Sequence, residues 1–245
     1  MIKFDSDKNA IFNPFGFGLT NFPSKALMIY DDFYFEKLMN EKNLVEVVDS
    51  GGIKRKNYYF LDNEYLIINP GEGAPTSAIM IENAIASGIK SVVAFGTAGS
   101  LEGSKMPHNI IIPSSAIREE GVSYHYCEES NEIKQEEASI KILRQEFDKK
   151  GISYIIGKTW TTDAFYRETI GKLDMMKNIG CICVDMECSA LIAISRFRNI
   201  KFAQFLITFD NLEADYNHRD NYKNLLEDTI LEVAFSSLDV LSNIS

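Results

Sequence analysis

Short apolar runs alternate with segments of helical period along most of this chain, and that alternation limits the possible folds more than any other feature. Ala26-Leu27-Met28-Ile29-Tyr30 reads as a buried strand, followed by a helix through Phe35, Leu38 and Met39. Val45 to Val48, Tyr58 to Leu61 and Tyr65 to Ile68 read as strands, separated by the turn signals Ser50-Gly51-Gly52 and Asp62-Asn63, and are expected to be antiparallel neighbours. Ala74 to Ser87 carries Ile79, Ile81, Ala84 and Ile85 at helical spacing and stops at Gly88, as at a C-terminal cap. Strands then follow at Ser91 to Phe95, Asn109 to Pro113, Ser153 to Thr159, Cys181 to Val184 and Phe202 to Thr208. Helices are expected at Glu136 to Lys150, Arg167 to Ile179, Met186 to Arg198 and Tyr222 to Leu241. Strands that alternate with helices predict an α/β sheet covered on both faces, with ligands at its strand ends.

No repeat, low-complexity tract or Pro/Ser-rich linker divides the sequence, so residues 1–245 are read as one domain with an irregular start at 1–24. Composition narrows the partners. The net charge of −10 comes without any long basic run, which argues against nucleic acid and anionic membranes. No apolar run reaches the roughly 18 residues of a membrane span, and the polar start does not resemble a secretory signal. Of the four cysteines, Cys181, Cys183 and Cys188 crowd into one apolar segment; they read as buried inert thiols of a reducing, cytoplasmic setting, without zinc-ligand spacing. No metal site is expected.

Two strands run directly into carboxylates: Cys181-Ile182-Cys183-Val184-Asp185-Met186-Glu187 and Phe205-Leu206-Ile207-Thr208-Phe209-Asp210. Capping accounts for Asp185 on its own, whereas Glu187, beside Met186 at an apolar helix start, needs a partner. Val92 to Ser100 reads as a strand that opens onto a glycine loop, Gly96-Thr97-Ala98-Gly99, whose amides could converge on an anion or a sugar oxygen. Gly71-Glu72-Gly73-Ala74-Pro75 is a second glycine turn before a helix.

Together, Phe95 to Gly99, Trp160 to Glu168, Val184 to Ala190 and Thr208 to Asn211 resemble, in this order, the nucleoside phosphorylase and nucleosidase superfamily. The resemblance spans about residues 26–211 and implies a single-domain three-layer α/β/α sandwich around a mixed twisted sheet. It implies a phosphorylase that cleaves a purine ribonucleoside with phosphate as co-substrate and no cofactor. Assembly as a homodimer, or as a hexamer built as a trimer of dimers, goes with it, and residues 1–24 are a candidate for the subunit interface. Breaking a ribosyl C1′–N bond passes through a sugar cation, so the ribose must be held and the base made a better leaving group. The resemblance gives Glu187 the ribose hydroxyls, Met186 the underside of the sugar, Asp210 the proton for the purine N7, and Phe165 a wall of the base pocket. Gly96 and Thr97 match the anion and sugar loop, and Asp185 is counted with the substrate-binding residues.

The sequence departs from the family where phosphate is bound. Tyr34 and Ala94 stand where relatives carry arginines, and Val45 to Ser50 contains no basic residue. These departures keep two alternatives open, a nucleosidase that uses water and a nucleoside-binding protein that has lost turnover. Glu72, in place of an apolar residue, is the acid expected to orient water or a substrate hydroxyl.

Overall fold

The computed structural model describes residues 4–102, 110–211 and 227–244, with the side chains of residues 209–211 and 227 outside that description. Its strands are β1 (Lys25–Ile29), β2 (Leu44–Val48), β3 (Lys54–Leu61), β4 (Tyr65–Ile68), β5 (Ser91–Ser100), β6 (Ile110–Glu119), β7 (Glu132–Lys134), β8 (Tyr154–Thr162), β9 (Cys181–Asp185) and β10 (Lys201–Asn211). The helices are α1 (Asp32–Glu41), α2 (Ala74–Ser87), α3 (Glu137–Lys149), α4 (Ile170–Asn178), α5 (Cys188–Arg198) and α6 (Glu227–Ser242). None of the described helices is long and apolar enough to cross a membrane.

The strands form one mixed sheet in the order β10-β6-β8-β9-β5-β1-β4-β3-β2, with β7 alongside β6. The β2–β3 and β3–β4 pairs are antiparallel, as the turn signals predict. β5 also pairs with β10 in parallel, so β10, β6, β8, β9 and β5 close into a ring, from which β1, β4, β3 and β2 extend as an open sheet. Ala98, Ile111, Cys183 and Leu206, one from each of four ring strands, pack together.

Strand pleating sends alternate residues of β1 and β5 to opposite faces. Leu27, Ile29, Val93 and Phe95 join Leu38 of α1, Leu143 and Phe147 of α3, and Val233 and Leu238 of α6. Ala26, Met28, Val92 and Ala94 join Ile81 and Ala84 of α2, and Leu191 and Ile194 of α5. Helices therefore cover both faces, which is the three-layer arrangement. The irregular start is pinned by Phe17, whose ring meets Phe22 and Tyr58 edge-on, while Ile11, Phe12 and Phe15 remain exposed.

One local expectation is corrected. Gly96 to Ser100 is not a loop but the continuation of β5, because β10 pairs with it as far as Asn211↔Ser100 and β9 takes Gly99 and Ser100. β5 thus exchanges neighbours, from β1 along Ser91 to Phe95, to β9 at Gly99. The exchange leaves a notch at Gly96 to Ala98, beyond the end of β1, of the kind in which open α/β sheets place their ligands.

Candidate active site

β9 delivers two carboxylates to this notch, and they meet different fates. Asp185 is buried: its Oδ1 accepts hydrogen bonds from the hydroxyls of Thr159 and Thr161, both at 2.9 Å, and its Oδ2 from the amides of Glu187 (2.9 Å) and Cys188 (2.6 Å). The side chain therefore caps α5 and ties it to β8, which places it beneath the site and not among the groups that could touch a ligand. This corrects the expectation that Asp185 binds substrate; the reason is that two strand hydroxyls and two helix amides already use both oxygens. Burial holds its carboxyl above the usual range, against the pull of those four bonds.

Glu187, two residues on, reaches across the sheet. Its Oε1 accepts the amide of Gly73 at 2.6 Å, at the N-terminus of α2, where Gly73 adopts φ 95° and Pro75 follows. Glu187 is only 8% exposed, and burial, with Asp185 next, pushes its carboxyl up to about 8; the Gly73 and Met186 amides oppose this and Glu72 adds to it. A buried carboxyl without a cationic partner is costly, and such groups gather where chemistry requires them.

Two groups that sequence reading overlooked complete the site. Tyr30, just past β1, donates from its hydroxyl to Ser77 Oγ at 2.9 Å, and Ser77 Oγ donates to the Gly73 carbonyl at 2.9 Å. The Gly71-Glu72-Gly73 turn is thereby held from two sides, by Glu187 and by Tyr30. Burial and the nearby Glu187 raise the phenol well above its ordinary value, so Tyr30 stays neutral. Its ring explains Gly96: a Cβ there would lie 2.6 Å from Tyr30 Cβ, closer than any real contact. The glycine answers to close approach rather than to backbone conformation. A bulky residue at the end of a strand, opposite a glycine, was the available signal, but only the β1–β5 register turns it into a contact.

The remaining expected residues fall as follows. Met186 is half-buried beside Glu187, Thr97 is exposed in the notch, and Glu72 is exposed on the turn. Phe165 sits 39% exposed in a short 3-10 turn, its ring 5.2 Å from that of Tyr166. The backbone of Asp210 pairs with Gly99, directly beside the notch, but its side chain lies outside the described residues. Tyr34 and Ala94 are core residues: Tyr34 meets Phe95 edge-on at 5.5 Å, and Ala94 is fully buried against the other face. Arg118 is spent on Ser123, Glu128 and Ser130, Arg196 on Glu136, and Arg198 on Glu82.

A sequence model of the phosphorylase superfamily matches residues 26–234. An uncharacterized protein of Acanthamoeba polyphaga mimivirus is 26% identical over 181 residues, covering 71% of this chain and 70% of that protein. The DeoD-type purine nucleoside phosphorylase of Caldanaerobacter subterraneus is 26% identical over 166 residues, covering 63% of this chain and 67% of the enzyme. Among solved structures, purine nucleoside phosphorylase from Toxoplasma gondii in complex with immucillin-H superposes with a TM-score of 0.75 at 20% identity, covering 96% of this chain and 99% of that one. AMP nucleosidase from Bacteroides thetaiotaomicron gives 0.73 at 19%, covering 91% and 90%. At these identities the superpositions establish the fold.

Proposed function

Because the chain belongs to the phosphorylase superfamily, whose members are nucleoside phosphorylases and nucleosidases, we propose that it cleaves the N-glycosidic bond of a purine ribonucleoside. The observation that carries the reading is the seat of Glu187: a buried carboxylate, anchored by the Gly73 amide, at the edge of a notch open to ligand. Such a group is suited to accept hydrogen bonds from the 2′- and 3′-hydroxyls of ribose, and its negative charge favours the cationic sugar of the transition state over the neutral ground state. Met186 lies beneath the sugar and Phe165 beside the base. Asp210 donates a proton to N7 as the bond breaks, so the purine leaves neutral. The phosphorylases of the family take phosphate as co-substrate and need no cofactor, and phosphate is the acceptor that the sequence ranks first.

The test is to incubate the protein with inosine, adenosine and uridine and to follow release of the free base. Purine ribonucleosides should be cleaved, Asp210→Asn should abolish cleavage while sparing binding, and Glu187→Ala should lose both. Release of no base from any nucleoside would sink the reading, as would an Asp210→Asn variant as active as its parent.

A further inference from the structure

The helix N-termini at this end of the sheet are where an oxyanion would ordinarily be received, because each presents unpaired amides and the positive end of a dipole. Here each is occupied by a carboxylate of the protein itself. Asp31 accepts the Phe33 and Tyr34 amides at the start of α1, Glu187 takes the Gly73 amide at the start of α2, and Asp185 takes the Glu187 and Cys188 amides at the start of α5. The charges that weigh most on Glu187 are likewise negative, Asp185 and Glu72. Between these caps the neutral phenol of Tyr30 fills the floor of the notch against Gly96 and is held in place by Ser77.

We propose that Tyr30 decides the acceptor: its ring closes the floor of a site whose helix N-termini are already capped by carboxylates, so an oxyanion is excluded and C1′ is passed to water. This rests on the cleavage reading above. In balance, the C1′–N bond breaks with its electron pair going to the purine, which takes a proton from Asp210. The oxygen of water forms the new C1′–O bond and gives up one proton to the Glu72 carboxylate. Glu72 returns that proton to solvent, from which Asp210 is recharged, and the products are free base and free ribose. Glu72, exposed on the turn whose Gly73 amide holds Glu187, has the solvent access this shuttle needs.

The experiment compares the parent, Tyr30→Phe and Tyr30→Gly, with and without inorganic phosphate, by two independent readouts. The first is product identity, free ribose against ribose 1-phosphate, with oxygen-18 water as tracer. The second is the effect of inorganic phosphate on the melting temperature, which needs no turnover. The parent and Tyr30→Phe should release oxygen-18 ribose at a rate indifferent to phosphate, and phosphate should leave their melting temperatures unchanged. In Tyr30→Gly, phosphate should raise the melting temperature and either compete with hydrolysis or appear in the product. Ribose 1-phosphate from the parent, or a phosphate-dependent rise in its melting temperature, would overturn the proposal. So would a Tyr30→Gly protein that folds and remains as indifferent to phosphate as its parent. If Tyr30→Gly does not fold, the parent and Tyr30→Phe decide the matter alone. Absence of base release combined with absence of phosphate binding would refute the cleavage reading and leave the exclusion of oxyanions standing.

Discussion

Glu187 carries a carboxyl that the fold raises to about 8, against an ordinary value of 4.5, chiefly by burial. The sign of the linkage follows. Below pH 4.5 the group is protonated in both folded and unfolded chains; between 4.5 and 8 the folded protein retains a proton that the unfolded chain has lost. Stability therefore falls across that window as pH rises and is level above it, at a cost of a few kcal/mol. Glu187→Gln should melt at nearly the parent temperature at pH 4.5 and progressively above it towards pH 8, while losing most of its activity. Parallel melting curves at all pH values would refute this. The same carboxyl should appear in kinetics: kcat/KM should rise with pH through an apparent value near 8, as Glu187 becomes the anion that favours the sugar cation, and Glu187→Gln should lack that limb.

Among the elements, β9 and α5 are joined by Asp185 and the hydroxyls of Thr159 and Thr161, with Ser189 Oγ donating to Glu120 at 2.8 Å behind them. Asp185→Ala leaves two buried amides and two buried hydroxyls short of an acceptor, at a cost of at least about 2 kcal/mol. Because the α5 start also positions Glu187, the variant should lose kcat/KM by more than its drop in melting temperature implies for the folded fraction. Asp185→Asn, which keeps one carbonyl acceptor, should recover part of each. Activity that tracks the folded fraction alone would contradict the positioning role. The sequence makes most of these elements legible, since short apolar runs and a helix such as Ala74 to Ser87, ending at Gly88, are decided locally. β5 is read too short because Gly96 and Gly99 carry turn signals, and only pairing with distant β10 and β9 overrides them. Glu187 and Asp185 look alike along the chain; two residues of register and two threonines on β8 separate their roles.

At the scale of the molecule, one face of the sheet is covered jointly by α1, α3 and α6, whose Ile230, Val233, Ala234 and Leu238 are buried against β1 and β5 neighbours. Phe95 stacks on Phe205, which meets Phe147 edge-on, so the layer beneath α6 is a continuous aromatic core. A chain cut before Glu227 would expose that layer, and it should show no cooperative thermal transition; a sharp melt in the truncated protein would refute the claim. The layered architecture was legible from the alternation of strand and helix, but closure of the ring was not, because β5–β10 pairing links residues about a hundred positions apart, where local patterns carry no information. Tyr30 and Gly96 lie on neighbouring strands of this sheet, and their contact limits how sequences can diverge. A large side chain at position 30 requires the absence of one at position 96, so Gly96→Ala should impair the parent and be tolerated in a Tyr30→Gly background. Among descendants of such a chain, a side chain can be gained at the second position only after bulk has been lost at the first, which gives the order in which the two substitutions can accumulate.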